Sequence, residues 1–165
     1  MSWPRKPPAA RVVAALTTGC WLLATACGYA PVRNGKLHAV RVAPVKNDTA
    51  QAEVGGLFAA ELRQELSSRG WLQGEASDAP ELHAQIVALI SLPTSVGSEG
   101  AGAYRLIADL RVKIGDYEDA LNLGEDYLAG IDVLGTEANR RAALRRLLRS
   151  AAREAIERYD VAQRF

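Results

Sequence analysis

The sequence predicts an α+β fold: two amphipathic helices packed on one face of a four-stranded mixed sheet, in the order β-α-β-β-β-α. Three observations carry this. Two segments place apolar residues at helical spacing, three runs between them alternate apolar with polar residues, and a short β-branched run precedes the first helix.

The fold is preceded by an address. Residues 1–11 (MSWPRKPPAAR) are short and positive, and Val12–Ala26 (VVAALTTGCWLLATA) carries no charge, the pattern of a secretory n-region and h-region. A bilayer-spanning helix needs roughly 20 apolar residues, so this segment is short for an uncleaved anchor. It ends in the small residues Ala24, Thr25 and Ala26 directly before Cys27. Cleavage there would make residues 1–26 a lipoprotein signal peptide and leave Cys27 as the new, lipidated N-terminus. Ordinary secretion with a spare thiol is the alternative. Cys20 falls in the segment to be removed, so a disulfide with Cys27 is excluded in the mature chain. Gly28 is not the Asp that marks inner-membrane retention, which points to the periplasmic face of the outer membrane. Residues 27–36 form the lipidated tether, and the nine after Cys27 reach at most about 30 Å when extended. The domain at 37–165 must therefore sit close to its membrane.

Within that domain, Leu37–Val45 is the first strand, with Val40 and Val42 on one face. Asn47-Asp48-Thr49 supplies N-cap chemistry, with Asp48 and Gln51 as a variant capping box. The helix that follows runs to about Ser68, with Val54, Leu57, Phe58, Leu62 and Leu66 as its stripe and Gly70 as its stop. Gly55-Gly56 predicts a close approach by another element. Glu81–Ile90 is the second strand, with Leu82, Ala84, Ile86, Ala88 and Ile90 inward, and it ends by Pro93. A flexible connection at 96–102 leads to the third strand, where Tyr104, Leu106, Ala108, Leu110, Val112 and Ile114 oppose Arg105, Asp109, Arg111 and Lys113. The acid-rich stretch 115–126 reads as a turn and Tyr127–Leu134 as the fourth strand. Thr136 is the predicted N-cap of the last helix, whose stripe is Leu144, Leu147, Leu148, Ala151, Ala155 and Tyr159.

Composition excludes several functions. Removing Arg5, Lys6 and Arg11 takes the net charge from +1 to about −2, which is not the footprint of a nucleic-acid binder. His38 and His83 lie on separate strands without a partner ligand at metal spacing, and Asp116, Glu118, Asp119, Glu125 and Asp126 lack the spacing of a calcium loop. Gly97, Gly100 and Gly102 sit between strands and open no helix, so they are not a phosphate-binding loop. No catalytic constellation, metal or cofactor is predicted. The last helix carries Arg140, Arg141, Arg145, Arg146, Arg149, Arg153 and Arg158. They form either a solvated face, partly paired with the acidic 116–126 stretch, or a contact for phosphates, anionic headgroups or an acidic partner.

A family resemblance rests on Cys27-Gly28-Tyr29, the strand Val40-Arg41-Val42-Ala43-Pro44-Val45, the exit Asn47-Asp48-Thr49 and the helix end Glu65-Leu66-Ser67-Ser68-Arg69-Gly70. In combination and at this spacing the chain resembles the LPS-assembly lipoprotein LptE family over nearly the whole mature sequence. The resemblance implies the same fold and a non-enzymatic role. It implies a plug inside the outer-membrane β-barrel LptD that helps the barrel assemble and binds lipopolysaccharide (LPS) during delivery to the outer leaflet. It also implies that basic residues meet lipid A phosphates. The candidates are Arg105, Arg111 and Lys113 on the third strand, and Arg141, Arg145 and Arg149 on the last helix for LPS or partner contact. The alternative is a periplasmic regulatory lipoprotein activating a cell-wall synthase, a role that favours a much longer tether.

Overall fold

The computed structural model describes residues 39–74, 78–97, 100–130 and 132–164. The expected signal peptide, Cys27, the expected tether, Leu37 and His38 lie outside the described residues. The elements in chain order are β1 (Arg41–Val42), β2 (Lys46–Asn47), α1 (Glu53–Ser68), β3 (Glu81–Gly97), β4 (Gly100–Ile114), β5 (Tyr117–Leu128) and α2 (Val133–Ala162). β1 and β2 both pair in parallel with β3, which pairs antiparallel with β4 and β4 with β5. The predicted order and α+β class hold, but the sheet has five strands instead of four. Pro44 has no N–H to give the ladder, so the first strand is divided in two around it. Ala43 and Asp48 still donate to the carbonyls of Leu82 and Ile86 at 2.9 and 3.0 Å, which keeps both pieces in line.

Both helices cover one face of the sheet. Phe58, Leu62 and Leu66 of α1 and Leu144, Leu147, Leu148 and Ile156 of α2 are fully buried against Leu82, Ile86, Leu106, Leu110 and Ile114. Each such side chain contributes roughly 1.5–3 kcal/mol by leaving water. Gly70 ends α1 at φ 70°, with Trp71 N donating to the Leu66 carbonyl at 2.8 Å. The expected close approach is at Gly55, where a Cβ would stand 3.2 Å from that of Asn47; Gly56 has open space.

Three local expectations are corrected. Neither Asn47-Asp48-Thr49 nor a capping box of Asp48 and Gln51 caps α1, whose N-cap is Ala52 without a side-chain bond. Asn47 instead folds the preceding turn, accepting from Thr49 N at 3.1 Å and donating to the Gln51 carbonyl at 2.8 Å. β3 does not keep one inward face, because the register shifts between Ile86, opposite Leu110, and Ala88, opposite Asp109. This bulge at Val87 exchanges the faces beyond it. Leu89 packs on the core, while Ile90 is 47% exposed. β3 also runs past Pro93 to Gly97, because beyond Ile86 it has β4 on one side only and the ladder is irregular at Pro93–Ser95.

The largest correction concerns 115–134. Only Gly115-Asp116 is a turn, a two-residue hairpin loop between Ile114 and Tyr117 with Gly115 at φ 59°. The acid-rich stretch is strand, and the expected strand at 127–134 is mostly the joint into α2. Asp132, not Thr136, caps α2, accepting from Gly135 N at 2.6 Å. The Thr136 hydroxyl accepts from Gly130 N at 2.9 Å.

Candidate functional site

The helices leave the other face of the sheet open, and its side chains follow from the pleat. On β4 they are Ala103, Arg105, Ile107, Asp109, Arg111 and Lys113. The β3 residues opposite Lys113 and Arg111 are His83 and Gln85, and those on β5 are Glu118 and Ala120. Alternation therefore gathers one polar half-face from three strands and leaves Lys113 between His83 and Glu118.

This half-face holds an open concavity of about 320 Å³, lined by Pro44, Lys46, His83, Ala84, Gln85, Arg111, Val112, Lys113 and Glu118. The break at Pro44 brings Lys46 to its rim. Two of the basic groups are already engaged: Lys46 Nζ lies 3.4 Å from Asp48, and His83 Nε2 lies 3.4 Å from Glu81. Asp48 accepts from the Gln85 amide, which holds its carboxyl below the ordinary value, helped by the Lys46 charge. Arg111 and Lys113 form no ion pair with any described residue, and both are exposed. Two free cations two residues apart on one strand, about 7 Å along it, are an arrangement for a phosphate-bearing ligand.

The remaining predicted residues are elsewhere. Arg105 shares the open face but stands six residues, about 20 Å, from Arg111. Its Nε is 3.8 Å from Asp126, and its guanidinium lies over Gly124, where a Cβ would come within 2.7 Å of Nε. Arg141, Arg145 and Arg149 are on the outer side of α2, across the sheet. Arg141 Nε donates to Glu137 at 3.0 Å and Arg149 Nε to Glu61 at 3.3 Å. The acid stretch does pair with this helix, through Arg146 with Glu125 at 2.6 Å and Arg158 with Asp119 at 3.2 Å. The structure thus assembles Arg111 and Lys113 but not the whole predicted set. It adds Lys46 and His83, which sequence reasoning missed because cross-strand register carries no signal in a single sequence.

The open face also carries exposed aliphatic side chains: Ile90, opposite Ile107, and Leu92, opposite Arg105, are each 47% exposed, and Leu128, opposite Ala103, is 67% exposed.

The comparisons with known proteins agree with this architecture. A family model described as Lipopolysaccharide-assembly (LptE) matches residues 37–158. Among solved structures, the rare lipoprotein B of Shewanella oneidensis is 16% identical, with a TM-score of 0.52 over 76% of this chain and 99% of that one. A protein of Xanthomonas campestris is 11% identical, with a TM-score of 0.56 over 76% and 85% of the two chains. A lipoprotein of Caulobacter crescentus is 14% identical, with a TM-score of 0.50 over 73% and 90%. At these identities the likeness is one of fold. No curated protein sequence matches the chain. The family match covers most of the chain, including every strand of the sheet, α1 and all but the last four residues of α2: the chain belongs to the lipopolysaccharide-assembly LptE family.

Proposed function

We propose that this chain is a lipid-anchored outer-membrane component of LPS assembly, which binds LPS phosphates in the concavity of its open sheet face and docks against an LptD-type barrel. The observation that carries the reading is the unpaired pair Arg111 and Lys113, held with Lys46 and His83 around an open space of about 320 Å³. The rigid strand sets their spacing, so little ordering cost falls on binding. Ile90, Leu92 and Leu128 on the same face support a second contact, with a protein wall, because they are exposed aliphatic side chains that a phosphate ligand does not use. Removal of residues 1–26 and acylation of Cys27 would hold the domain at the periplasmic face. The role is binding and assembly, not catalysis.

The experiment is LPS binding by the purified full-length chain. Arg111→Ala combined with Lys113→Ala should weaken binding by about tenfold to a hundredfold, the loss of one or two charge-assisted contacts. Unchanged LPS affinity would remove the concavity as the site. Co-purification from detergent-solubilised outer membranes tests the barrel separately. Leu92→Glu with Leu128→Glu should release a barrel of LptD size, and retention of it would overturn the docking assignment.

A further inference from the structure

The acids around the concavity play no part in holding a phosphate, and one of them controls a cation that could. Three carboxylates stand at its margin: Asp48, Glu81 and Glu118. Glu118, opposite Lys113 on the β4–β5 ladder, forms no ion pair with a described residue. Glu81 is shared between His83 Nε2 at 3.4 Å and Arg41 Nε at 3.8 Å. Asp109, next to Arg111 in the outward row of β4, accepts from the Asn122 amide at 2.5 Å. Asp48 alone holds a lysine, with Lys46 Nζ at 3.4 Å.

Register explains why that lysine matters. β2 begins after Pro44 with Lys46, which lies opposite Gln85, and Gln85 lies opposite Arg111. The three form one row across β2, β3 and β4. At about 4.8 Å per strand, Lys46 starts about 10 Å from Arg111 on the same face, a gap that its long stem can largely span. Its ammonium stands at Asp48 instead. The two partners differ in freedom. Asp48 is fixed twice, its carboxylate by the Gln85 amide and its backbone N–H by the Ile86 carbonyl at 3.0 Å. The Gln85 bond, and then the Lys46 charge, hold its carboxyl below the ordinary value, so it is charged at neutral pH. The Lys46 side chain is 68% exposed, against 38% for Asp48, and rotates on a flexible stem. The lysine is therefore the part that moves. An exposed pair of this kind shifts an equilibrium by about fivefold at most, and a charge-assisted bond to phosphate outweighs it.

We propose that Asp48 is a latch on Lys46: with the latch closed the concavity presents Arg111 and Lys113, and a ligand phosphate that draws Lys46 from Asp48 gains a third cation. Asp48 is thus a positioning residue, which sets how tightly the site holds an anion without touching it. Its competition for the lysine keeps the hold loose, as suits a protein that passes its ligand on. This rests on the reading of the concavity as the site of LPS phosphates.

The test is the cost of Lys46→Ala to LPS affinity, measured in the full-length chain with and without Asp48→Asn. Asparagine keeps an acceptor for the Gln85 amide and the backbone N–H to Ile86, so the fold is retained. Lys46→Ala should cost about twofold to threefold in the unaltered chain, where the lysine is partly withheld. Beside Asp48→Asn, where it is released, the cost should rise to about tenfold. Asp48→Asn alone should tighten binding by about threefold. An equal cost in both chains, as for independent charges, overturns the proposal. So does a smaller cost beside Asp48→Asn, which would mean that the carboxylate aims the lysine at the ligand. Arg111→Ala with Lys113→Ala separates the latch from the reading beneath it. If that pair weakens binding while the Lys46 cost is equal, the latch alone falls; if that pair changes nothing, the site falls and the latch with it.

Discussion

The two outer faces of this molecule both carry arginine, and they use it differently. On the open sheet face, the pleat sends Arg111 and Lys113 the same way and leaves them unpaired in a concavity. On the helical face, the cations stand one turn apart and lean on carboxylates beneath them, Glu137 under Arg141 and Glu61 under Arg149. A strand fixes the direction of a charge and leaves its partner to the register of the neighbouring strands. A helix puts potential partners within its own next turn, as Glu137 is for Arg141, or on the helix packed beside it, as Glu61 is for Arg149. The first arrangement leaves two cations without an ion pair among the described residues, and the second lays its cations over carboxylates.

Four experiments test whether these faces are independent surfaces on one rigid body. The largest effect is expected from Leu147→Ala, in the layer between them. It should cost about 2–5 kcal/mol in denaturant unfolding, and probes on both faces should lose structure in one transition. Separate transitions would break the idea of a single body. Next is Gly130→Ala, at the joint where the chain passes from sheet to helix. An added Cβ would stand 2.5 Å from the Gly135 carbonyl carbon and 2.6 Å from Thr136 N, so the backbone must move. A loss of about 1–3 kcal/mol is expected, with LPS binding by the concavity retained. A smaller effect follows Arg146→Ala, which removes the link from α2 to Glu125 and to the Asp126 carbonyl. With Arg146 53% exposed, thermal unfolding should register under about 1 kcal/mol.

The smallest effect is a titration. Glu137 is held below its ordinary value, chiefly by the hydrogen bond from Arg140 and then by the charges of Arg140 and Arg141. A depressed carboxyl pKa means that its contribution is complete above the ordinary glutamate range, about 4.3. The contribution is lost as pH falls through the lower folded value. Arg140→Ala should return the NMR titration midpoint of Glu137 toward the ordinary range. A midpoint that does not move would show that the start of α2 owes nothing to this pair.

The legibility of the fold was uneven, and individual residues show why. β4 was readable from Tyr104 to its end because the inward side chains there are apolar or Tyr104 and the outward ones from Arg105 are polar but for Ile107, whereas its first residues, 100–102, read as a connection. β5 was misread because Asp119 and Glu125 occupy inward positions on it. They are compatible with that side only because Arg158 and Arg146 reach down from α2 to meet them, so the strand pattern is incomplete without a helix encoded more than twenty residues later. The bulge at Val87 was equally hidden. Nothing in the alternation of residues 81–90 marks one of them as extra, and the slip is set by how Leu89 packs on the core. Of the candidate site, the charges Arg111 and Lys113 were visible, while Lys46 and His83 were not.

By itself the sequence determined the class of the fold, the order of its main elements, the stripe of each helix and the shared face of Arg111 and Lys113, because these depend on periodicity within one segment. Tertiary structure alone decided the division of the first strand, the exchange of faces along β3, which arginine of α2 meets which acid of β5 and the membership of the concavity. Each of these is a relation between segments distant in the chain, and register and burial between such segments are fixed by packing, which no local pattern records.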